Sequence, residues 1–158
     1  MALSFPTTIT GAPQTGFTSP TYTLTFDSAP DQYGLQRAVT AVGGTQAGVD
    51  THSTSRPFTL TWVRPRKMKA LVYNPQSQSI LKDPGYNSWQ LITRKGMTIA
   101  ANQPPKTGGM RTIMDVPVGA DINDPACVRA MVSAHIGELT AWAAGIGDTG
   151  VSGLSWGS

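Results

Sequence analysis

The sequence predicts an α+β fold in which antiparallel strands come first and helices last. Three observations carry that expectation. Glycine (17) and proline (12) are plentiful while charged residues make up only 13 % of the chain, a composition suited to strands and turns. Phe58 to Arg64 alternates at period two, with Phe58, Leu60 and Trp62 on one side and Thr59 and Thr61 on the other. After residue 123 the apolar period becomes helical, and a run of strands followed by a helix is the α+β signature.

Taken in order, Ser4 to Thr10 and Thr21 to Phe26 are β-rich runs separated by the turn-forming GAPQTGFTSP, an N-terminal hairpin within residues 1–30. Tyr33 to Val42 is a third strand, followed by the polar loop GGTQAGVDTHSTS. Phe58 to Arg64 is the fourth. Beyond Pro65, Lys67 and Lys69 alternate with Met68 and Ala70, which predicts another strand with both lysines on the face of Thr59 and Thr61. Trp89 to Lys95 and Arg111 to Val118 complete a set of about seven strands, mostly antiparallel since the connections are too short for parallel crossovers, with a five-stranded antiparallel sheet over residues 31–118.

The helical part covers residues 119–158 of what reads as one domain. Asp124 is placed to cap a helix that opens on Pro125, and Val128, Met131, Val132, His135, Leu139 and Trp142 share one stripe. The expected helix runs from Pro125 to Ala143, is ended by Gly145, and leaves Ile146 to Leu154 as a second short helix or turn. One such unit cannot cover both faces and both edges of the sheet. A homodimer, in which an edge pairs with a second subunit, is the expected repair.

Charge is distributed unevenly. Residues 1–55 carry a net −2 and residues 112–158 a net −4, whereas residues 56–111 hold ten bases against the single acid Asp83, a net +9. A field of that kind attracts a polyanion, because each neutralised phosphate releases counterions. The plainer reading is a solvated face that keeps the protein soluble.

Signs of catalysis or cofactor binding are few. GIGDTG at Gly145 to Gly150 matches GxGxxG, but it follows a helix where a dinucleotide site follows a strand, so it reads as a helix stop and turn. His135 reads as a packed histidine, and His52 has no nucleophile partner nearby in sequence. Cys127 is the only cysteine, which excludes an intrachain disulfide and a zinc set, and it reads as a small buried thiol. The N-terminus has no secretory pattern and no apolar run approaches the roughly 18 residues of a membrane span. The expectation is a soluble, unexported protein without enzymatic activity, metal or cofactor.

YNSWQLITRKGMTIAANQPP, TIMDVPVGAD, DPACVRAMVSAHIGEL and AGIGDTGVSGL together resemble the coat proteins of single-stranded RNA bacteriophages, the levivirus-type group. The likeness covers Tyr86 to Leu154; before that, only the order of elements corresponds. It implies dimers joined sheet edge to sheet edge with interlocked helices, assembled in the host cytoplasm into an icosahedral virion shell around genomic RNA. It also implies that the open sheet face binds RNA, including an operator hairpin that represses replicase translation, and that the loop from about Gly96 to Gly109 surrounds the symmetry axes. The RNA-binding set expected on these grounds is Thr59, Thr61, Arg64, Arg66, Lys67, Lys69, Gln90, Arg94 and Arg111, and the dimer interface is the Val128 to Trp142 stripe. A free dimeric RNA-binding regulator that forms no shell is the alternative.

Overall fold

A computed structural model describes residues 3–77, 79 and 85–153. Six strands form one antiparallel sheet in sequence order: β1 (Thr8–Thr10), β2 (Thr18–Asp27), β3 (Gly34–Thr45), β4 (Phe58–Val63), β5 (Tyr86–Met97) and β6 (Lys106–Pro117). Three helices follow: α1 (Ala120–Asn123), α2 (Pro125–Ala141) and α3 (Ala143–Ser152). The α+β class and the antiparallel sheet are as the sequence predicts.

Two features of the sheet differ from expectation. The N-terminal hairpin is continuous with the rest, because β2 pairs along β3 from Thr18↔Thr45 to Asp27↔Gln36. Lys67 to Ala70 forms no strand. Pro65 can donate no ladder hydrogen bond, and the backbone of Lys69 is bound by a side chain instead: its N–H donates to Asn87 Oδ1 (2.9 Å) and its carbonyl accepts from Asn87 Nδ2 (3.1 Å). The sheet therefore has six strands in place of a hairpin plus five. The basic stretch lies in a long strap between β4 and β5, of which Lys82 and Asp83 fall outside the described residues.

The regular register of β3 to β6 fixes two faces. Leu35, Trp62, Leu91 and Thr112 follow one another across one face with Leu60 beside them, as the pairs Leu35↔Trp62, Trp62↔Leu91 and Leu91↔Thr112 require. Gln36, Thr61, Ile92 and Arg111 lie across the other.

The apolar face is incompletely covered. Among the described residues the buried hydrophobics are only Leu24, Ala38, Val39, Val116, Val118 and Ala143, while Phe26 on β2 is 68 % exposed. Such a core is small for a chain of 158 residues.

The helices do not close it. Gly119, at φ 96°, turns the chain out of β6 into α1, and Leu71 of the strap fills the space where a side chain at 119 would stand. The Asp124 carboxylate accepts from Cys127 N (3.2 Å), capping α2, and Pro125 takes the first helical position, as the sequence predicts. α2 ends two residues early. Trp142 adopts φ −99°, ψ 8°, and the chain resumes as α3, so Gly145 lies inside a helix and does not stop one. The α3 helix ends on Gly153, and Leu154 lies outside the described residues. No residue of α2 is buried, and among the described residues its packing is against α1, with no more than marginal contact to any strand.

Candidate nucleic-acid interface

The polar sheet face gathers five of the nine residues expected to meet RNA. Thr59 stands opposite Arg94, Thr61 opposite Ile92, Ile92 opposite Arg111, and Val63 opposite Gln90. Direct cross-strand partners point to the same side, so Thr59, Thr61, Gln90, Arg94 and Arg111 share one surface. The two threonines are deep in it, at 4 % and 1 % exposure, overtopped by longer neighbours. The Thr61 hydroxyl donates to Gln36 Oε1 (2.8 Å), while Gln36 Nε2 donates to Asp27 Oδ2 (2.7 Å) and the Ser28 carbonyl (3.2 Å). Gln36 escapes a reading of the sequence because its strand alternates weakly; its role is to hold one threonine hydroxyl in a fixed direction.

Beside the threonines a groove of about 390 Å³ runs between the two arginines, along Arg94, Gly109 and Arg111. Gly109 faces Arg94 across the strands, and a side chain there would crowd Thr93 O (3.1 Å) and approach the Arg94 stem. The glycine leaves the groove open. Its lining offers two guanidinium groups, the Thr107 hydroxyl and the side chain of Ile92, which suits a phosphate backbone and a base plane together. Neither arginine forms a salt bridge among the described residues.

The other basic residues lie elsewhere. Arg64 and Arg66 hold their guanidinium groups 5.9 and 5.8 Å from the Tyr33 ring centre, and Arg66 pairs with Asp31 (3.3 Å). Asp31 also accepts from Tyr33 N (3.0 Å). That backbone N–H first, and Arg66 after it, hold the Asp31 carboxyl below the ordinary aspartate range. Lys69 is tied through its backbone to Asn87, whose side chain shares the Trp89 and Leu91 face, so the expected parity of Lys67 and Lys69 with Thr59 and Thr61 is corrected: there is no strand to carry it. Lys95 also faces away from the threonines. Its Nζ lies 4.9 Å from the centre of the Phe58 ring and donates to the Asp50 carbonyl (2.8 Å), and burial lowers its pKa. His52 Nδ1 accepts from Phe58 N (3.1 Å), a loop-closing role.

The expected dimer stripe is half-exposed or fully open within one chain. Val128, Val132 and Leu139 are intermediate, while Met131, His135 and Trp142 are exposed, Trp142 by 61 %. Cys127 is exposed rather than buried, and the Asp124 carboxylate beside it raises the thiol pKa. Among the described residues, no group of His, Cys, Asp and Glu is placed to hold a metal ion, and no helix is long and apolar enough to cross a membrane.

No family model matches the sequence, and no curated protein matches it. Among solved structures, the chain is similar to that described as the virus-like particle of bacteriophage ESE020, with 51 % identity, a TM-score of 0.90, and coverage of 97 % of this chain and 99 % of the other. The chain belongs to the bacteriophage coat proteins. The similarity extends over β1 to β4, so the coat-protein fold includes the N-terminal half that resembles the family only in element order. In this coat protein the exposed helices and the half-covered apolar face are two surfaces of one subunit, with the threonine and arginine face on the reverse of the sheet.

Proposed function

We propose that this coat protein forms the shell of a single-stranded RNA bacteriophage, that its unit is an interlocked dimer, and that the Thr59, Thr61, Gln90, Arg94 and Arg111 face meets the packaged RNA. The observation that carries the reading is α2. A 17-residue helix with no buried residue and an apolar stripe leaves its own sheet's apolar face half-covered. A second copy supplies the missing layer to each. Among the described residues β6 is an unpaired sheet edge, which allows two sheets to join into one.

RNA binding is supported by the location of Arg94 and Arg111 on the face away from the helices' apolar target, flanking a groove beside buried threonine hydroxyls. Arg64, Arg66, Lys67 and Lys69 lie on or near the strap and add positive charge at the sheet's end, a general attraction for RNA. Recognition of an operator hairpin, and through it repression of replicase translation, is a finer form of the same contact. Assembly takes place in the host cytoplasm, and the product is the virion.

Gel filtration and electron microscopy of the chain expressed in bacteria test the reading. Closed particles that elute in the void volume and protect RNA from nuclease are expected. A dimer that binds RNA and forms no particle would establish the free regulator instead, and a stable 16.7 kDa monomer would remove both.

A further inference from the structure

Arg37 projects from β3 onto the apolar face, between Phe26 on β2 and Leu60 on β4. It is 7 % exposed, its guanidinium lies 4.0 Å from the Phe26 ring centre, and it borders an apolar cavity of about 140 Å³ lined also by Leu24, Leu35 and Trp62. Among the described residues, Nη2 donates to the Phe5 carbonyl at 3.3 Å, and Nε is buried with no partner. A guanidinium in apolar surroundings requires an acceptor, and a carboxylate is the acceptor its fork fits best.

The chain's own acids are otherwise engaged. Asp31 and Asp50 pair with Arg66 and Arg56, Asp124 caps α2, and Asp27, Asp115 and Asp148 accept from Gln36, Ser88 and Thr15. Among the described residues, Asp121 and Glu138 remain. Asp121 is in α1, which stays with β6. Glu138 is the one acid within α2, three residues after His135 and four before Trp142, on the shoulder of the apolar stripe.

We infer that in the coat-protein dimer Arg37 is completed by Glu138 of a second copy, whose α2 lies across Leu35, Leu60 and Trp62. The inference rests on the interlocked dimer proposed above and adds what sets its register. Apolar stripes slide; one buried charge pair has a single satisfied position. The opposite charges, one buried without a carboxylate partner among the described residues and one exposed beside an apolar stripe, select a second copy over an unrelated peptide.

Glu138→Gln is the informative variant, because the side chain is exposed in the single subunit and its loss leaves the subunit's own folding intact. Native mass spectrometry across a urea series is expected to show the E138Q dimer dissociating with a constant raised at least about tenfold, as truncated buried charge pairs do. In Arg37→Met the same E138Q change is expected to have almost no further effect, the mark of a coupled pair. A parent dimer in which E138Q dissociates like the parent, or in which the two changes add, overturns the pair and leaves the dimer standing. A parent that is monomeric overturns the dimer, and the pair with it.

Discussion

Gln14, at the tip of the first hairpin, occupies the space a side chain at position 147 would need: its Oε1 atom would overlap a Cβ built on Gly147, while its Nε2 donates to the Ala143 carbonyl (2.8 Å). Thr15 beside it donates to Asp148 Oδ2 (2.9 Å). The glycine-rich GIGDTG sequence is thus neither a nucleotide loop nor a helix stop; it is the surface of α3 on which the hairpin tip rests. Gln14→Ala is expected to cost about 1 kcal/mol, the usual worth of one hydrogen bond. Gly147→Ala displaces the flexible end of Gln14 but gains about 1 kcal/mol of helix propensity, so its net effect is near zero. The double variant should therefore exceed Gln14→Ala in stability by about 1 kcal/mol in urea melts at matched concentration; equality of the two would show that position 147 is not helical.

Asn87 governs the strap. It is 7 % exposed and satisfies both the N–H and the carbonyl of Lys69. Asn87→Ala leaves those groups unpaired and should cost about 1–3 kcal/mol. Limited trypsin digestion should then cut after Lys67 or Lys69 earlier than in the parent, and an unchanged cleavage rate would mean that other interactions hold the strap.

Arg94 and Arg111 define the RNA prediction. Replacing both by Gln should flatten the slope of log affinity against log salt by about 0.7–0.9 for each phosphate no longer neutralised, with every RNA sequence weakened alike and the dimer retained. Lys67→Gln with Lys69→Gln serves as the comparison. If that pair changes the slope more, RNA tracks the strap and not the threonine face.

Asp31 supplies a pH dependence with a definite sign. Its carboxyl is depressed by the Tyr33 N–H and Arg66, so the stabilisation is complete above the ordinary aspartate range and is lost as pH falls through the lower folded value. Asp31→Asn should remove that part of the acid-side slope and leave the slope above neutrality unchanged. Thermal melts of parent and variant from pH 2 to pH 7 provide the comparison.

Where the sequence was legible, a periodic signal stood alone. Phe58 to Val63 gave its faces correctly because alternation there is unbroken, and the Asp124–Pro125 helix start follows from local capping chemistry. The Lys67 to Ala70 alternation misled for a physical reason: period two is necessary for a paired strand but says nothing about where the backbone hydrogen bonds go, and Asn87 takes those of Lys69. The threonine and arginine pairing required register between β4 and β5, which joins residues some 35 positions apart and leaves no local trace. Arg37 illustrates the remaining gap, since a lone arginine in a weakly alternating strand looks solvent-facing until its neighbours Phe26 and Leu60 are known.

A helix that leaves its own sheet also alters how defects are inherited. Under the proposed dimer, a substitution on the α2 stripe damages the cover of another molecule's Leu60 and Trp62, while the mutant's own sheet is covered by whichever copy it meets. In a cell making parent and variant chains together, mixed dimers would form in proportion to abundance and enter the same growing shell. One altered helix would then be a fault in every particle that admits it, so stripe variants should act dominantly, whereas a variant confined to a subunit's internal packing, such as Asn87→Ala, should be diluted out.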